Sequence, residues 1–254
     1  MERCCGGQLR RRDVIRTVAE TGSTNTDLVR QLRATEPAHE GDWLIADRQL
    51  AGRGRQGRSW FDGNGNFMGS TLVFPHERDP AAASLALVAG VALHEAVQPL
   101  LDPVRHLWLK WPNDLMIGEA KLAGILLERE GAAVVVGIGV NLAAAPDLPD
   151  RKTAALADFG PKPDRDYFAT TLAQSFAREL ERWRTFGLEP LLRRWESLAH
   201  PPGTMLSVHP PGEEPIRAAF AGLMPDGALC LRLDDGSTRA IHAGDVLLAE
   251  KDED

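Results

Sequence analysis

Tyrosine occurs once and cysteine three times in 254 residues. Cys4 and Cys5 are adjacent and Cys230 is remote, so they give neither a disulfide framework nor metal-ligand spacing. The chain therefore reads as reduced and cytoplasmic, and no base stands near these thiols to make one reactive. No run of about 18 apolar residues exists, which excludes a membrane span. Arg10-Arg11-Arg12 would suit an export signal, but Asp13, Arg16 and Glu20 interrupt any apolar stretch behind it. Export is not expected, and residues 1–12 read as a disordered tail. An excess of basic charge is missing too: 29 Lys and Arg against 36 Asp and Glu leave a net charge of −7. Such a surface has no general attraction to nucleic acid or anionic lipid, so any anion site must be local. There is no internal repeat and no low-complexity segment, apart from the acidic end at 250–254.

What the chain has is ordinary core-forming composition, 43% hydrophobic and 26% charged, with length for one large domain plus a small module. Residues 13–18 suit a short strand that Glu20 to Asn25 interrupts. A helix follows over about 25–35, where Thr24 and Asp27 fit a capping box. Asp42 to Gln49 predicts a strand, Asp62 to Asn66 a turn, and Phe67 to Phe74 a strand with a break at Gly69. Asp79-Pro80 opens a helix with one buried face, carrying Leu85, Val88, Ala89, Ala92, Ala96 and Leu100, and His94 packs within it. Arg105 to Trp111 is a strand ended by Pro112-Asn113-Asp114. Lys121 to Glu128 and Ala132 to Val140 form a hairpin about Glu130-Gly131, its second arm at the centre of a sheet. Residues 143–165 predict a long surface loop, Asp166 caps a helix to about Phe186, and another runs from Pro190 to Ala199. After the stiff linker 200–203 come short strands separated by Pro/Asp/Gly turns, the texture of a small β-barrel.

Gly52-Arg53-Gly54-Arg55-Gln56-Gly57-Arg58-Ser59-Trp60 makes a poor helix and a poor strand. It can fold closely over an anion, with arginine forks for carboxylate or phosphate oxygens and an indole for stacking. Formally it matches GxGxxG, yet a polar turn and a strand follow where a dinucleotide site needs a helix. The loop, the Ser23-Thr24-Asn25 turn, the segment from Lys110 to Asp114 and the one from Lys121 to Ile125 all fall at strand ends or helix starts, where sites are built. Together they hold several cations, the carboxamide of Gln49, two hydroxyls and a single carboxylate. They hold neither a nucleophile with a paired base nor a metal cluster. Such a set suits phosphoryl or adenylyl transfer, in which positioning and charge neutralisation do most of the catalysis.

The residues 52–60, Lys110-Trp-Pro-Asn-Asp114, Lys121-Leu-Ala-Gly-Ile-Leu-Leu-Glu128 and Gly137-Ile-Gly-Val-Asn-Leu142, in this order, resemble the motif set of biotin protein ligases. Ser23-Thr24-Asn25 and Gln49 resemble the same family. The resemblance implies an α/β (α+β) catalytic domain over 13–200, a mixed sheet with flanking helices related to class II aminoacyl-tRNA synthetases. It implies an SH3-like β-barrel over 204–250. It further implies ATP-dependent biotinylation of one lysine on a biotin carboxyl carrier domain, through biotinyl-5′-AMP and with Mg2+. The acceptor would belong to an acetyl-CoA, acyl-CoA or pyruvate carboxylase.

By the same resemblance, Ser23, Thr24 and Gln49 hydrogen-bond the ureido end of biotin, and Asn25, Gly52, Gly54 and Gly124 belong to the same biotin site. Arg53 and Arg55 close over carboxylate and phosphate, with Arg58 near the phosphate, and Lys121 neutralises charge between them. Trp60 and Asn113 hold adenine, and Asn141 approaches the ribose or the adenine edge. Lys110 and Asp114 lie near the incoming lysine, or Asp114 near Mg2+. Trp108 and Trp111 pack biotin's rings or the core. The loop is expected to be poorly ordered without the adenylate. Too few residues precede Ser23 for the DNA-binding domain of some relatives, so a ligase without a DNA or membrane partner is expected, with monomer or homodimer left open. A lipoate or octanoate ligase of the same superfamily is the enzymatic alternative, and an RNA-binding protein using the Arg/Gly loop the non-enzymatic one.

Overall fold

The computed structural model describes residues 14–149 and 151–249. The tail at 1–12, with Cys4 and Cys5, and the acidic end at 250–254 lie outside the described residues. Alternating side chains in Trp43–Gln49 (β2) send Leu44 to one face, where it meets Leu28 of helix α1 (Thr24–Arg33), and Trp43 and Ile45 to the other. Helices α2 (Leu85–Val97), α3 (Arg165–Phe186) and α4 (Leu188–Ser197) pack on that second face. Between the helical layers lies one seven-stranded sheet in the order β1-β2-β3-β7-β6-β5-β4. Its other strands are β1 (Ile15–Thr21), β3 (Phe67–Val73), β4 (Leu107–Lys110), β5 (Asp114–Ile117), β6 (Ala120–Glu130) and β7 (Ala133–Val140). β1 and β2 are parallel and the other pairings antiparallel, which makes the sheet mixed. β7 is wholly buried at its centre, and Gly131 turns the β6–β7 hairpin at φ 57°.

Several elements depart from the sequence reading. β1 runs through Glu20 and Thr21, which pair with Arg48 and Gln49, because strand pairing overrides the polar character of those residues. β3 has no break at Gly69: it pairs there with Ile45 and Ile138, and a Cβ would lie 2.6 Å from the ring of Phe67. β5 follows the Pro-Asn-Asp turn at once and is held by β4 and β6 on either side, too short for its own periodicity to show. α2 starts after a 3-10 turn at Ala82–Ser84 and is buried around nearly its whole circumference, not on one face. His94 is buried with it, its ring nitrogen 3.3 Å from the Leu107 carbonyl. Ala82–Leu100 has the length and hydropathy of a membrane span, but 67% of it is buried inside the protein, as befits a core helix.

Asp164, not Asp166, caps α3 by accepting from the Tyr167 N–H at 2.8 Å. Phe168, Leu172, Phe176, Leu180 and Trp183 form its buried stripe as predicted. The segment 143–165 is a surface loop for most of its length, but its middle turns inward. Ala154, Ala155 and Leu156 are buried, and the chain pairs with Lys121 through Lys121 N–H to Lys152 O and Ala154 N–H to Lys121 O.

Beyond the linker, β8 (Met205–His209), β9 (Ile216–Leu223), β10 (Leu229–Arg232), β11 (Thr238–Ile241) and β12 (Asp245–Leu248) form a five-stranded antiparallel sheet, ordered β11-β10-β9-β8-β12. It docks on the first domain through Trp111 Nε1–H to Gly227 O at 3.1 Å and Lys110 Nζ to Val246 O at 3.0 Å. Apolar side chains of both domains belong to one continuous core.

Candidate active site

A cavity of about 670 Å3 opens over the sheet where β2, β3, β5, β6 and β7 meet the start of α1 and the edge of the C-terminal sheet. It gathers Ser23, Thr24, Asn25, Gln49, Arg53, Gly54, Arg55, Arg58, Trp60, Lys110, Asn113, Asp114, Lys121, Gly124 and Asn141. Of the residues predicted from sequence, Gly52 and Trp108 are absent from the lining. Gly52 is buried behind the loop, where a Cβ would lie 3.2 Å from Gln49 Nε2 and 3.3 Å from Trp60 Cβ. Trp111 lines the cavity while its indole N–H is spent on Gly227, and Trp108 stands outside, stacked between His106 and His200.

At one end the cavity is polar but uncharged. Ser23 occupies the N-cap of α1 without a side-chain cap bond, and the predicted capping box does not form. Asp27 instead accepts from Thr21 Oγ1 and Arg30. The free Thr24 N–H of the first turn is taken by Gln49 Oε1 at 2.7 Å, so β2 caps the helix from outside. Thr24 Oγ1 touches Ser70 Oγ at 2.7 Å, Ser70 Oγ reaches Asn25 Oδ1 at 2.6 Å, and Asn25 Nδ2 donates to Glu128 at 2.6 Å. Gly137 is obligatory beneath this network, since a Cβ there would lie 2.2 Å from Asn25 Oδ1. Ser70 and Glu128 escaped the sequence reading, because each sits within an apolar strand pattern and only the fold brings it to Asn25.

At the other end the cavity is cationic. The Gly/Arg loop is a framed turn: Gly54 N–H bonds Arg58 O at 2.7 Å, Trp60 N–H bonds Gly52 O at 2.9 Å, and Gln56 takes φ 57°. Arg55 donates to Asn113 Oδ1 at 3.2 Å and to Gly244 O at 3.3 Å, and Arg58 pairs with Asp245. The C-terminal domain therefore clasps the loop, which the sequence reading did not anticipate. The Trp60 indole lies on bare strand backbone, where a Cβ on Gly139 would be 2.3 Å from its Cε2 and one on Gly124 3.1 Å from its Cζ3. Its buried Nε1–H has no partner among the described residues, and neither has Oδ1 of Asn141. Buried polar atoms without partners at a cavity wall are what a ligand would satisfy.

Asp114 is held by Lys121 at 2.6 Å and Lys110 at 3.4 Å. Burial alone would raise its carboxyl, but Lys121 and then Lys110 outweigh it and keep the group below the usual carboxylate range. Burial pushes the Lys110 ammonium down, opposed by Asp114 and reinforced by Lys121 and Arg151. Lys121 Nζ also stands 5.8 Å from the Trp60 ring centroid. Arg151, another lining residue the sequence reading missed, comes from the 143–165 segment folded back over β6.

The sequence matches the model of the biotin/lipoate A/B protein ligase family over residues 18–142 and that of the biotin protein ligase C-terminal domain over 211–248. It is 37% identical over 227 residues to a biotin–acetyl-CoA-carboxylase ligase of Paracoccus denitrificans, covering 85% of this chain and 92% of that protein. A ligase of the same description from Mycobacterium tuberculosis is 35% identical over 235 residues, with 91% and 87% covered. The structure of a biotin protein ligase from Aquifex aeolicus in complex with biotin and ATP superposes with a TM-score of 0.81 at 26% identity, over 94% of this chain and 99% of that one. Matched in both its domains, and along most of the length of these relatives, the chain belongs to the biotin protein ligase family.

Proposed function

We propose that this enzyme activates biotin with ATP and passes it to a lysine of a biotin carboxyl carrier domain. In the first half-reaction a biotin carboxylate oxygen bonds to the α-phosphorus, the bond from that phosphorus to the β-bridging oxygen breaks, and pyrophosphate leaves with the electron pair. In the second, the neutral ε-amine of the acceptor bonds to the acyl carbon of biotinyl-5′-AMP, AMP departs, and the amine sheds a proton. One observation carries the reading: a single cavity has a neutral hydrogen-bonding end at Thr24 and Gln49 and a cationic wall of Arg53, Arg55 and Lys121. That polarity suits a ligand with a neutral polar head and a carboxylate tail that must meet a phosphate.

Supported by this geometry, Ser23, Thr24 and Gln49 take the ureido group, and Arg53, Arg55 and Lys121 spread the charge that develops between carboxylate and α-phosphate. Trp60, Asn113 and Asn141 take the adenosine, with the free Asn141 Oδ1 as an acceptor for its amine or hydroxyls. Lys110 and Asp114 flank the acyl carbon, where the acceptor lysine arrives. Among the described residues no group of three or more acidic, His or Cys side chains gathers, and Asp114 is already engaged by two ammonium groups. This donor set fits a Mg2+ ion arriving on the triphosphate rather than one in a protein cage. When bound there, the ion screens phosphate charge.

The catalytic unit is 13–200 and the β unit 204–250, with the second bracing the loop of the first. The names of the relatives favour the carrier domain of an acetyl-CoA carboxylase as acceptor. Pyrophosphate release tests the reading: ATP with biotin should give it, and ATP with lipoate or octanoate should not. Release with lipoate alone would move the enzyme to the other branch of the superfamily.

A further inference from the structure

We infer that Glu128 and Ser70 are specificity-determining positioning residues, which fix the donor and acceptor sense of the neutral end of the cavity through Asn25 and Thr24. The inference rests on the assignment of Thr24 and Gln49 to biotin's ureido group. A carboxylate can only accept, so the Asn25 atom 2.6 Å from Glu128 is its amide nitrogen, and the carbonyl Oδ1 must turn toward Ser70. That carbonyl can only accept, so the single Ser70 proton is spent on it across 2.6 Å. The 2.7 Å contact between Ser70 and Thr24 would then set lone pair against lone pair unless the proton comes from Thr24.

The Thr24 hydroxyl has one hydrogen and two acceptors in reach, Ser70 Oγ at 2.7 Å and Gln49 Oε1 at 3.1 Å; the shorter contact claims it, and with either partner a lone pair is left for the cavity and no hydrogen to offer. Gln49 is fixed by the same logic. Its Oε1 is occupied by the Thr24 N–H, so its Nε2 is the group free to face a ligand. The result is one donor and one acceptor side by side. They complement a ligand carrying a carbonyl oxygen next to an N–H, which is the edge of a cyclic urea. A dithiolane offers neither and would leave both protein groups desolvated and unpaired, which costs more than the hydrogen bonds themselves contribute.

Glu128→Gln is the decisive change. It is isosteric, but its amide can present N–H as well as C=O to Asn25, so Asn25 is free to flip and the one-way chain is lost. Calorimetric titration of the full chain without ATP, using biotin and 2-iminobiotin, reads this out. In 2-iminobiotin a donor replaces the carbonyl acceptor. The wild type should prefer biotin by about 5- to 150-fold, since an unpaired buried group costs about 1–3 kcal/mol. Glu128→Gln should weaken biotin about 10-fold or more, weaken 2-iminobiotin much less, and leave ATP affinity unchanged. Ser70→Ala, which breaks the same chain at its middle link, should narrow the preference likewise. Equal losses for both ligands, a parallel loss of ATP affinity, or unchanged biotin affinity in both variants would overturn the inference. Failure of the wild type to bind biotin while it binds ATP would instead overturn the assignment of the cavity on which the inference rests.

Discussion

Substituting Gly139 should damage nucleotide binding while sparing biotin, for a reason that distances give directly. A Cβ at position 139 would sit 2.3 Å from Cε2, 2.5 Å from Cζ2 and 2.6 Å from Nε1 of Trp60. Carbon atoms in contact lie at about 3.5–4.0 Å, so the indole must withdraw by about 1 Å or more. Overpacking of this kind costs about 1–3 kcal/mol, and at about 1.4 kcal/mol per decade Gly139→Ala should raise the KM for ATP by about 5- to 150-fold. Gly124→Ala, whose Cβ would lie at 3.1 Å from the ring and 3.2 Å from Lys121 Nζ, should have the same sign and a smaller size. Pyrophosphate exchange gives the KM values, and calorimetry with biotin alone should show a Kd within about threefold of wild type, because the hydrogen bonds of Thr24 and Gln49 do not involve the indole. Unchanged ATP affinity in Gly139→Ala would refute the placing of Trp60 on the adenosine floor.

Other changes probe other parts of the site. Lys121→Ala removes the closer cation from Asp114 and from the carboxylate–phosphate junction, and should slow adenylate formation by at least about 100-fold, measured as initial pyrophosphate release. Arg55→Gly should still make biotinyl-5′-AMP but lose it to solvent, so labelled adenylate should pass a desalting column free of protein; unchanged retention would contradict this. Asp245→Asn unties Arg58 from the C-terminal domain and should speed protease cleavage within 52–58, an effect that ATP plus biotin should suppress. His200, buried against Trp108 with Nε2 unpartnered among the described residues, has its pKa pushed down to about 4, first by burial and then by Lys110. Its folded value lies below the unfolded 6.5. The unfolded chain thus takes up the proton first, and the stability that neutral His200 contributes should fall as pH drops from about 6.5 toward 4, with no further loss from this group below. His200→Phe, which keeps the stacking, should flatten the difference in Tm between pH 7 and pH 4.5.

Local chemistry was legible where a residue's own neighbours decide its role. The Gly/Arg loop, the lysines at 110 and 121, Asn113 and the hydroxyls of α1 declared themselves as a set, and the structure brings them to one cavity. The stripe of α3 and the buried arm of β7 followed from periodicity alone. What escaped was set by tertiary partners. Glu20 and Thr21 belong to a strand only because β2 lies beside them. Thr24 abandons its capping box because Gln49 and Ser70 offer better-placed partners. Asp245 reaches Arg58 across 187 residues of sequence, a contact no local pattern encodes. Gly137 and Gly139 illustrate the middle case. Their presence signals close approach, while the atoms that approach, Asn25 and Trp60, are visible only once the strand is placed.

Transfer of labelled biotin tests the central claim most directly. Incubated with a carboxyl-carrier domain, ATP and magnesium, the enzyme should place label on one lysine of that domain, and omission of ATP or replacement of that lysine should abolish it. Labelling that proceeds without ATP, or its absence while biotin and ATP both bind the cavity, would contradict the account.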